Sequence, residues 1–193
     1  IRESFAKWVK SKNPKRVVDY GGGFGSLARL IGKQLPDAEV HVIEPHPHPA
    51  ARALAENTHN VRFQPKLVGE YDILLATDVF EHVPDPLGLA AETSAHLVIG
   101  GHYLMANCFH PVILCHLPQT FHFLYSWDKV MESLGLFPID TILYGTIFHR
   151  GSAIYLSEAR SVEACSKKLY PWVQRLPKLI RPRIGRFIAE HAC

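Results

Sequence analysis

Apolar residues return every three or four positions over 2–12, with Phe5, Trp8 and Val9 on one side, and Asn13-Pro14 stops the run. That spacing predicts a helix. Val17-Val18-Asp19 is a short β-branched strand running into a glycine cluster, and Leu27, Leu30 and Ile31 give 26–34 helical spacing. The same reading predicts strands at 40–44, 61–63, 71–76 and 102–108, and helices at 49–57, 87–98 and 127–134. Gly100-Gly101 and Gly135 close the last two helices. Two strands, 138–148 and 153–156, then follow around a hairpin-like turn at His149–Ser152. Strands alternating with helices of about ten residues indicate βαβ units in a parallel sheet. Near-continuous apolar strands such as Ile73-Leu74-Leu75 suit a sheet covered on both faces. The expected class is therefore α/β.

Composition narrows the picture. With 193 residues, 47% hydrophobic, the chain suits one α/β domain with a short appendage and excludes disordered and fibrous classes. No apolar run approaches the roughly 20 residues of a membrane span, and no signal-peptide pattern is visible. The chain starts at Ile1 rather than Met, so it says nothing of a targeting segment ahead of it. Cys108, Cys115, Cys165 and Cys193 show no CxxC pair and no disulfide-dense spacing, which favours a reducing, cytoplasmic setting. The net charge of +3 hides an asymmetry. Residues 1–159 carry 13 Lys and Arg against 16 Asp and Glu, whereas residues 160–193 carry 8 against 2. A domain at 1–159 and a basic, proline-interrupted helical extension at 160–193 are expected. Nucleic acid is not an expected partner of the acidic main domain.

The chemistry gathers at strand ends. Asp19-Tyr20-Gly21-Gly22-Gly23-Phe24-Gly25 ends a strand and opens a helix, where glycines let the backbone approach a ligand and the helix N-terminus adds partial positive charge. Glu44, at the end of the next strand, is placed to accept both hydroxyls of a ribose. Gly23-Phe24-Gly25-Ser26-Leu27-Ala28 fits the dinucleotide fingerprint GxGxxA, so an NAD(P)-dependent oxidoreductase is one reading. A carboxylate at Asp19 suits instead a ligand with an amino-acid end and no phosphates.

Asp19-x-Gly21-x-Gly23-x-Gly25 resembles the D/E-x-G-x-G-x-G loop of class I S-adenosylmethionine-dependent methyltransferases. The stretch Tyr71–Pro86, with Asp78-Val79-Phe80-Glu81-His82-Val83-Pro84-Asp85-Pro86 at its end, is similar to the fourth-strand segment of the small-molecule members, types 11 and 23. The resemblance covers residues 15–157. It implies a Rossmann-like, seven-stranded, mainly parallel sheet with helices on both faces and a C-terminal antiparallel hairpin strand. It further implies that S-adenosyl-L-methionine is the cofactor. Asp19, Tyr20, Gly21, Gly22, Gly23 and Gly25 would line its methionine part, Glu44 would hold the ribose, and Pro45 would lie against the adenine. Ala76 and Thr77 would meet the methionyl amino group through the backbone. Relatives often carry an Asp after the third strand for the adenine amine; Gln64 stands in that region here.

Asp78 and His82 lie just past the fourth strand, at the crevice where open α/β sheets bind ligands. His82 is the candidate base, since an imidazole titrates near neutrality; the competing role for Glu81 and His82 is to tie down the following loop. His110, His116, His122 and Tyr125 are the candidate acceptor-pocket residues. With Phe109, Phe121, Phe123 and Trp127 around them they suggest an apolar or ring-shaped acceptor, a small molecule or a glycan. The spacing C-x-H-x4-C-H over Cys108, His110, Cys115 and His116 matches no common structural zinc pattern, and no metal is expected. The absence of an N/D-P-P-Y/F tetrapeptide after the fourth strand argues against methylation of base amines. Apolar residues recur through 169–188 between basic ones, broken by Pro171, Pro177 and Pro182. Such a stretch packs on its parent domain or a second subunit, contacts an anionic membrane or partner, or serves as a linker to a further domain. The expected activity is methyl transfer to an oxygen, with nitrogen or carbon as lesser choices; a noncatalytic binding domain with the same fold is the remaining alternative.

Overall fold

The computed structural model describes all 193 residues, arranged as a seven-stranded sheet between two helical layers. In chain order the elements are α1 (Arg2–Lys12), β1 (Arg16–Tyr20), α2 (Ser26–Gln34), β2 (Glu39–Ile43), α3 (Pro49–Glu56), β3 (Val61–Gln64) and β4 (Tyr71–Thr77). Then come α4 (Pro86–Ala95), β5 (Leu97–Ala106), α5 (Trp127–Leu134), β6 (Leu136–Ile142), β7 (Gly145–Arg150), α6 (Leu156–Gln174) and α7 (Arg181–Ala192). The strand order is β3-β2-β1-β4-β5-β7-β6; the first five are parallel, and β7 runs antiparallel between β5 and β6. The strand order reverses between β1 and β4, so their C-terminal ends open a crevice, the switch point at which such sheets hold ligands.

Alternation along the buried strands divides the core in two. Val17, Val42, Leu75 and Ile147 face α1 and α2, where they meet Phe5, Val9, Leu27 and Ile31. Val18, Leu74, Tyr103 and Phe148 face the other way, onto Phe80, Leu87, Trp127, Met131 and the α6 residues Ala159 and Val162. Asp19 follows Val17 and Val18 in register, so its carboxyl points to the α2 side.

Three sequence expectations need correction. The helix ahead of β5 stops at Ala95, and Gly100 and Gly101 lie inside β5. Gly100 has φ +82° and the β4–β5 register shifts between Tyr71 and Ile73, so these glycines accommodate an irregular ladder. The hairpin turn is at Leu143-Tyr144, with Leu143 at φ +57°, and not at His149–Ser152, which continues and leaves β7. Cys165 and Cys193, 28 residues apart, form a disulfide that joins α6 to the end of α7. Antiparallel helix packing, invisible to local spacing, brings them together.

Residue 159 falls within α6, which packs on α4 and α5 and runs on through Pro171. Arg160 pairs with Asp85, the residue whose carboxylate caps α4 through Gly88 N. α7 folds back on α6, with Gly185 against the Tyr125 ring and Val173 and Ala189 buried. Trp172, Leu179 and Phe187 face outward from this pair. No helix is long and apolar enough to cross a membrane.

Candidate active site

Two cavities meet at the C-terminal ends of β1 and β4. The first, about 450 Å³, is lined by Asp19, Gly21, Gly22, Gly23, Phe24, Ser26, Thr77, Asp78 and Tyr144, with Ile1, Arg2 and Phe5 from the N-terminal helix region. The second, about 850 Å³, runs past Tyr20, Gly21, Glu44, Pro45, Asp78 and His82 to Asp85 and Glu92. Gly21 and Asp78 are common to both.

The glycine loop is shaped by close approaches. Gly21, Gly23 and Gly25 have φ of +68°, +52° and +65°, the left-handed region where a Cβ is strained. A Cβ on Gly21 would sit 2.7 Å from Val79 Cγ2, and one on Gly22 would sit 2.7 Å from Asp19 Oδ2. One on Gly23 would meet no protein atom within 4 Å, because that residue borders open cavity. Phe24 stacks on His48 at 5.5 Å, and His48 Nδ1 accepts from Ala50 N to cap α3. The His46-Pro47-His48-Pro49 turn thereby holds the outer wall of the loop. Glu44 accepts from His46 N at 3.3 Å and stays partly exposed on the second cavity.

Asp19 is 1% exposed, and its Oδ1 has no hydrogen-bond partner. Burial pushes its carboxyl up to about 7, against opposing pulls from the Ala28 backbone and the Arg2 charge. A half-satisfied carboxyl on a cavity wall is a receptor for a cationic or hydrogen-bond-donating ligand group. An ammonium-bearing ligand with a ribose therefore fits: Asp19 at one end, Glu44 at the other, and the glycine backbone between.

Asp78 takes φ +54°, unusual for a residue with a Cβ, and its N donates to Ala106 O at 2.7 Å. That conformation aims the side chain along the junction of the cavities, where Tyr144 Oη donates to Asp78 Oδ2 at 3.0 Å. Burial and the Asp78 charge push the Tyr144 phenol up to about 12, so it stays a donor. Arg2, Phe5 and Tyr144 escape sequence reading. Only the amphipathic N-terminal helix and a correctly placed hairpin turn would have pointed to them.

Glu81 and His82 occupy a 3₁₀ turn, Phe80–His82, directly after this junction. Glu81 Oε1 accepts from Cys108 N at 2.8 Å and its carbonyl from Leu117 N at 2.9 Å, so it anchors both ends of the segment leaving β5. His82 Nδ1 lies 3.1 Å from Cys115 O, and its ring stands edge-on to His116, with centroids 4.9 Å apart.

The remaining expected site residues scatter. Ala76 is fully buried between β1 and β5. Gln64 lines neither cavity; its amide turns to His41 Nε2 at 3.2 Å. His110 is exposed, and its carbonyl faces His116 Nδ1 at 2.6 Å. His122 and Tyr125 lie under the C-terminal helices, away from both cavities. His122 is 6% exposed beside Ser166, and burial together with the Lys167 charge pushes it down to about 4 despite Glu163. Phe109, Phe123 and Trp127 are core, packed ring on ring at 5.0–5.4 Å, and do not form an acceptor pocket.

The fold is that of class I S-adenosylmethionine-dependent methyltransferases. The chain belongs to the methyltransferase-domain family, which matches its residues 1–136. It is similar to the ubiquinone biosynthesis O-methyltransferase of Acinetobacter baumannii, 29% identical over 142 residues covering 61% of this chain and 59% of that protein. It thus spans well under two thirds of the length of the curated relatives it matches. Among solved structures it resembles a Burkholderia thailandensis 1,6-didemethyltoxoflavin-N1-methyltransferase, bound to its substrate and S-adenosylhomocysteine, with TM-score 0.61 and 16% identity. The match covers 77% of this chain and 76% of that one. An O-methyltransferase family 2 protein from Planctomyces limnophilus, in complex with apigenin, aligns with TM-score 0.59 and 17% identity over 79% and 56% of the two chains.

Proposed function

We propose that this chain transfers a methyl group from S-adenosyl-L-methionine to an oxygen of a small organic acceptor. The observation that carries the reading is Asp19: a buried carboxyl, with an unpartnered oxygen, on the wall of a cavity floored by the glycine loop. It would receive the ammonium of the cofactor, with Thr77 beside it and Glu44 taking the ribose hydroxyls across the second cavity. The cofactor supplies a sulfonium-activated methyl group, so the protein's task is placement and proton removal. Asp78 is common to both cavities and His82 lines the second, and the acceptor's proton passes to one of them. Tyr144 holds the Asp78 carboxylate in place. Oxygen is favoured because the similar Acinetobacter protein is an O-methyltransferase.

The test combines two measurements. Titration calorimetry with S-adenosylhomocysteine should show one site per chain, weakened by Asp19→Ala. Labelled methyl transfer to a panel of phenols and hydroxylated rings should then identify the acceptor class. A folded chain with no heat of binding, or one that enhances the fluorescence of reduced nicotinamide, overturns the reading.

A further inference from the structure

We propose that Glu81, His82 and His116 bind a divalent transition-metal ion such as Zn²⁺, at the edge of the second cavity. One ligand atom from each residue lies within 4.8 Å of the other two. Ions of this class bind imidazole nitrogen and carboxylate oxygen at about 2.0–2.2 Å, which places neighbouring donors somewhat over 3 Å apart. Side-chain rotations closing the triangle by at most about 1.5 Å therefore suffice.

The donors are prepared for this. Each histidine turns Nδ1 onto a backbone carbonyl, His82 onto Cys115 O and His116 onto His110 O. A carbonyl can only accept, so Nδ1 carries the hydrogen and the lone pair is left on Nε2. Metal-binding histidines are commonly oriented in this way. Glu81 is fully buried; Oε1 is held by Cys108 N, whereas Oε2 has no partner at all. An unpaired carboxylate oxygen in a buried position is costly, and a cation held jointly with two imidazoles removes that cost. Two nitrogens and one oxygen form the donor set of open zinc sites, in which a fourth position remains for water or ligand. Of the three residues, His82 is the one that lines the second cavity.

The local fold explains why these residues meet. The 3₁₀ turn after β4 supplies Glu81 and His82 as neighbours, and the two Glu81 bonds to Cys108 and Leu117 return the post-β5 segment so that His116 closes the triangle. The cysteines of the sequence pattern are not in the set. The ion site stands whether or not the chain transfers methyl groups. If it does, a metal-bound His82 cannot also take a proton, and that role falls to Asp78.

Chelator-stripped protein should bind one Zn²⁺ per chain by calorimetry, with the stoichiometry confirmed by elemental analysis. Glu81→Gln and His116→Gln should each weaken binding by more than the roughly 10–100-fold that loss of an outer-shell partner costs, whereas the double variant Cys108→Ser, Cys115→Ser should retain it. Folding of each variant is checked by far-UV circular dichroism. The wild-type protein loaded with Co²⁺ gives a second reading that needs no variant: visible d–d bands without a thiolate-to-cobalt band. No stoichiometric binding overturns the proposal. So do undiminished affinity in the Glu81 and His116 variants, loss of binding in the cysteine variant, and a thiolate band. S-adenosylhomocysteine binding, measured on the stripped protein, separates failure here from failure of the methyltransferase reading.

Discussion

Replacing Asp19 by Asn isolates the energetic conflict at the glycine loop. A carboxyl moved from 3.8 to about 7 by burial is penalised only when ionised. The folded protein therefore keeps a proton there that the unfolded chain releases, and stability falls as pH rises from about 4 to about 7. Above that window the penalty is about 4 kcal/mol; at pH 5 it is less than half of that. Asn keeps the shape and removes the charge. Its advantage over the wild type should thus grow by about 3 kcal/mol between pH 5 and pH 8.5, or roughly 6–12 °C in Tm for a chain of this size. Thermal melts of both proteins at the two pH values measure it, since all other titrations cancel in the difference. The same substitution should weaken S-adenosylhomocysteine binding and abolish the rise in wild-type affinity with pH through about 7. A Tm difference that does not change with pH refutes the burial argument for Asp19.

Four further substitutions have defined outcomes. Gly21→Ala should cost about 1–3 kcal/mol, from its positive φ and the contact with Val79, and lose cofactor affinity. Gly23→Ala places a methyl in open cavity and should lose affinity with a smaller fall in Tm. His122→Gln should flatten acid sensitivity: the wild type is set to lose about 3 kcal/mol as pH falls from 6.5 to about 4, because its buried imidazole stays neutral there while the unfolded one protonates. Urea unfolding at pH 4.5 and 7 tests this, and equal acid loss in the two proteins counts against it. Cys193→Ser should lower Tm, with loop-closure entropy for 28 residues setting an upper scale of about 3.5 kcal/mol, and reductant should then have no further effect.

Local chemistry made parts of the site readable before the fold was known. The bounds of α2 follow from apolar spacing, and Asp19, Glu44 and Asp78 sit at strand ends where a parallel sheet concentrates ligands. Tyr144 was hidden because its turn uses Leu143 at positive φ, whereas Gly151 supplied a false turn signal a few residues on. Phe109, Phe123 and Trp127 have a composition that suits a pocket as well as a core; only their mutual packing decides for core. His122 and Tyr125 depend on where α6 and α7 fold back, which no local pattern encodes. Glu81, His82 and His116 were visible individually, but their meeting depends on hydrogen bonds across 27 and 36 residues, from the Glu81 side chain to Cys108 N and from its carbonyl to Leu117 N.

Because Gly21 and Asp78 are the only residues shared by the two cavities, a cofactor spanning them would be held as two half-ligands joined across a sill formed by that pair. Adenosine and methionine should each dock alone, weakly, on separate walls. Their covalent union makes the second docking intramolecular, and effective concentrations in the millimolar range then multiply the two affinities. Discrimination between the intact cofactor and its cellular fragments would reside in the spacing across that sill, set by one left-handed aspartate and one glycine.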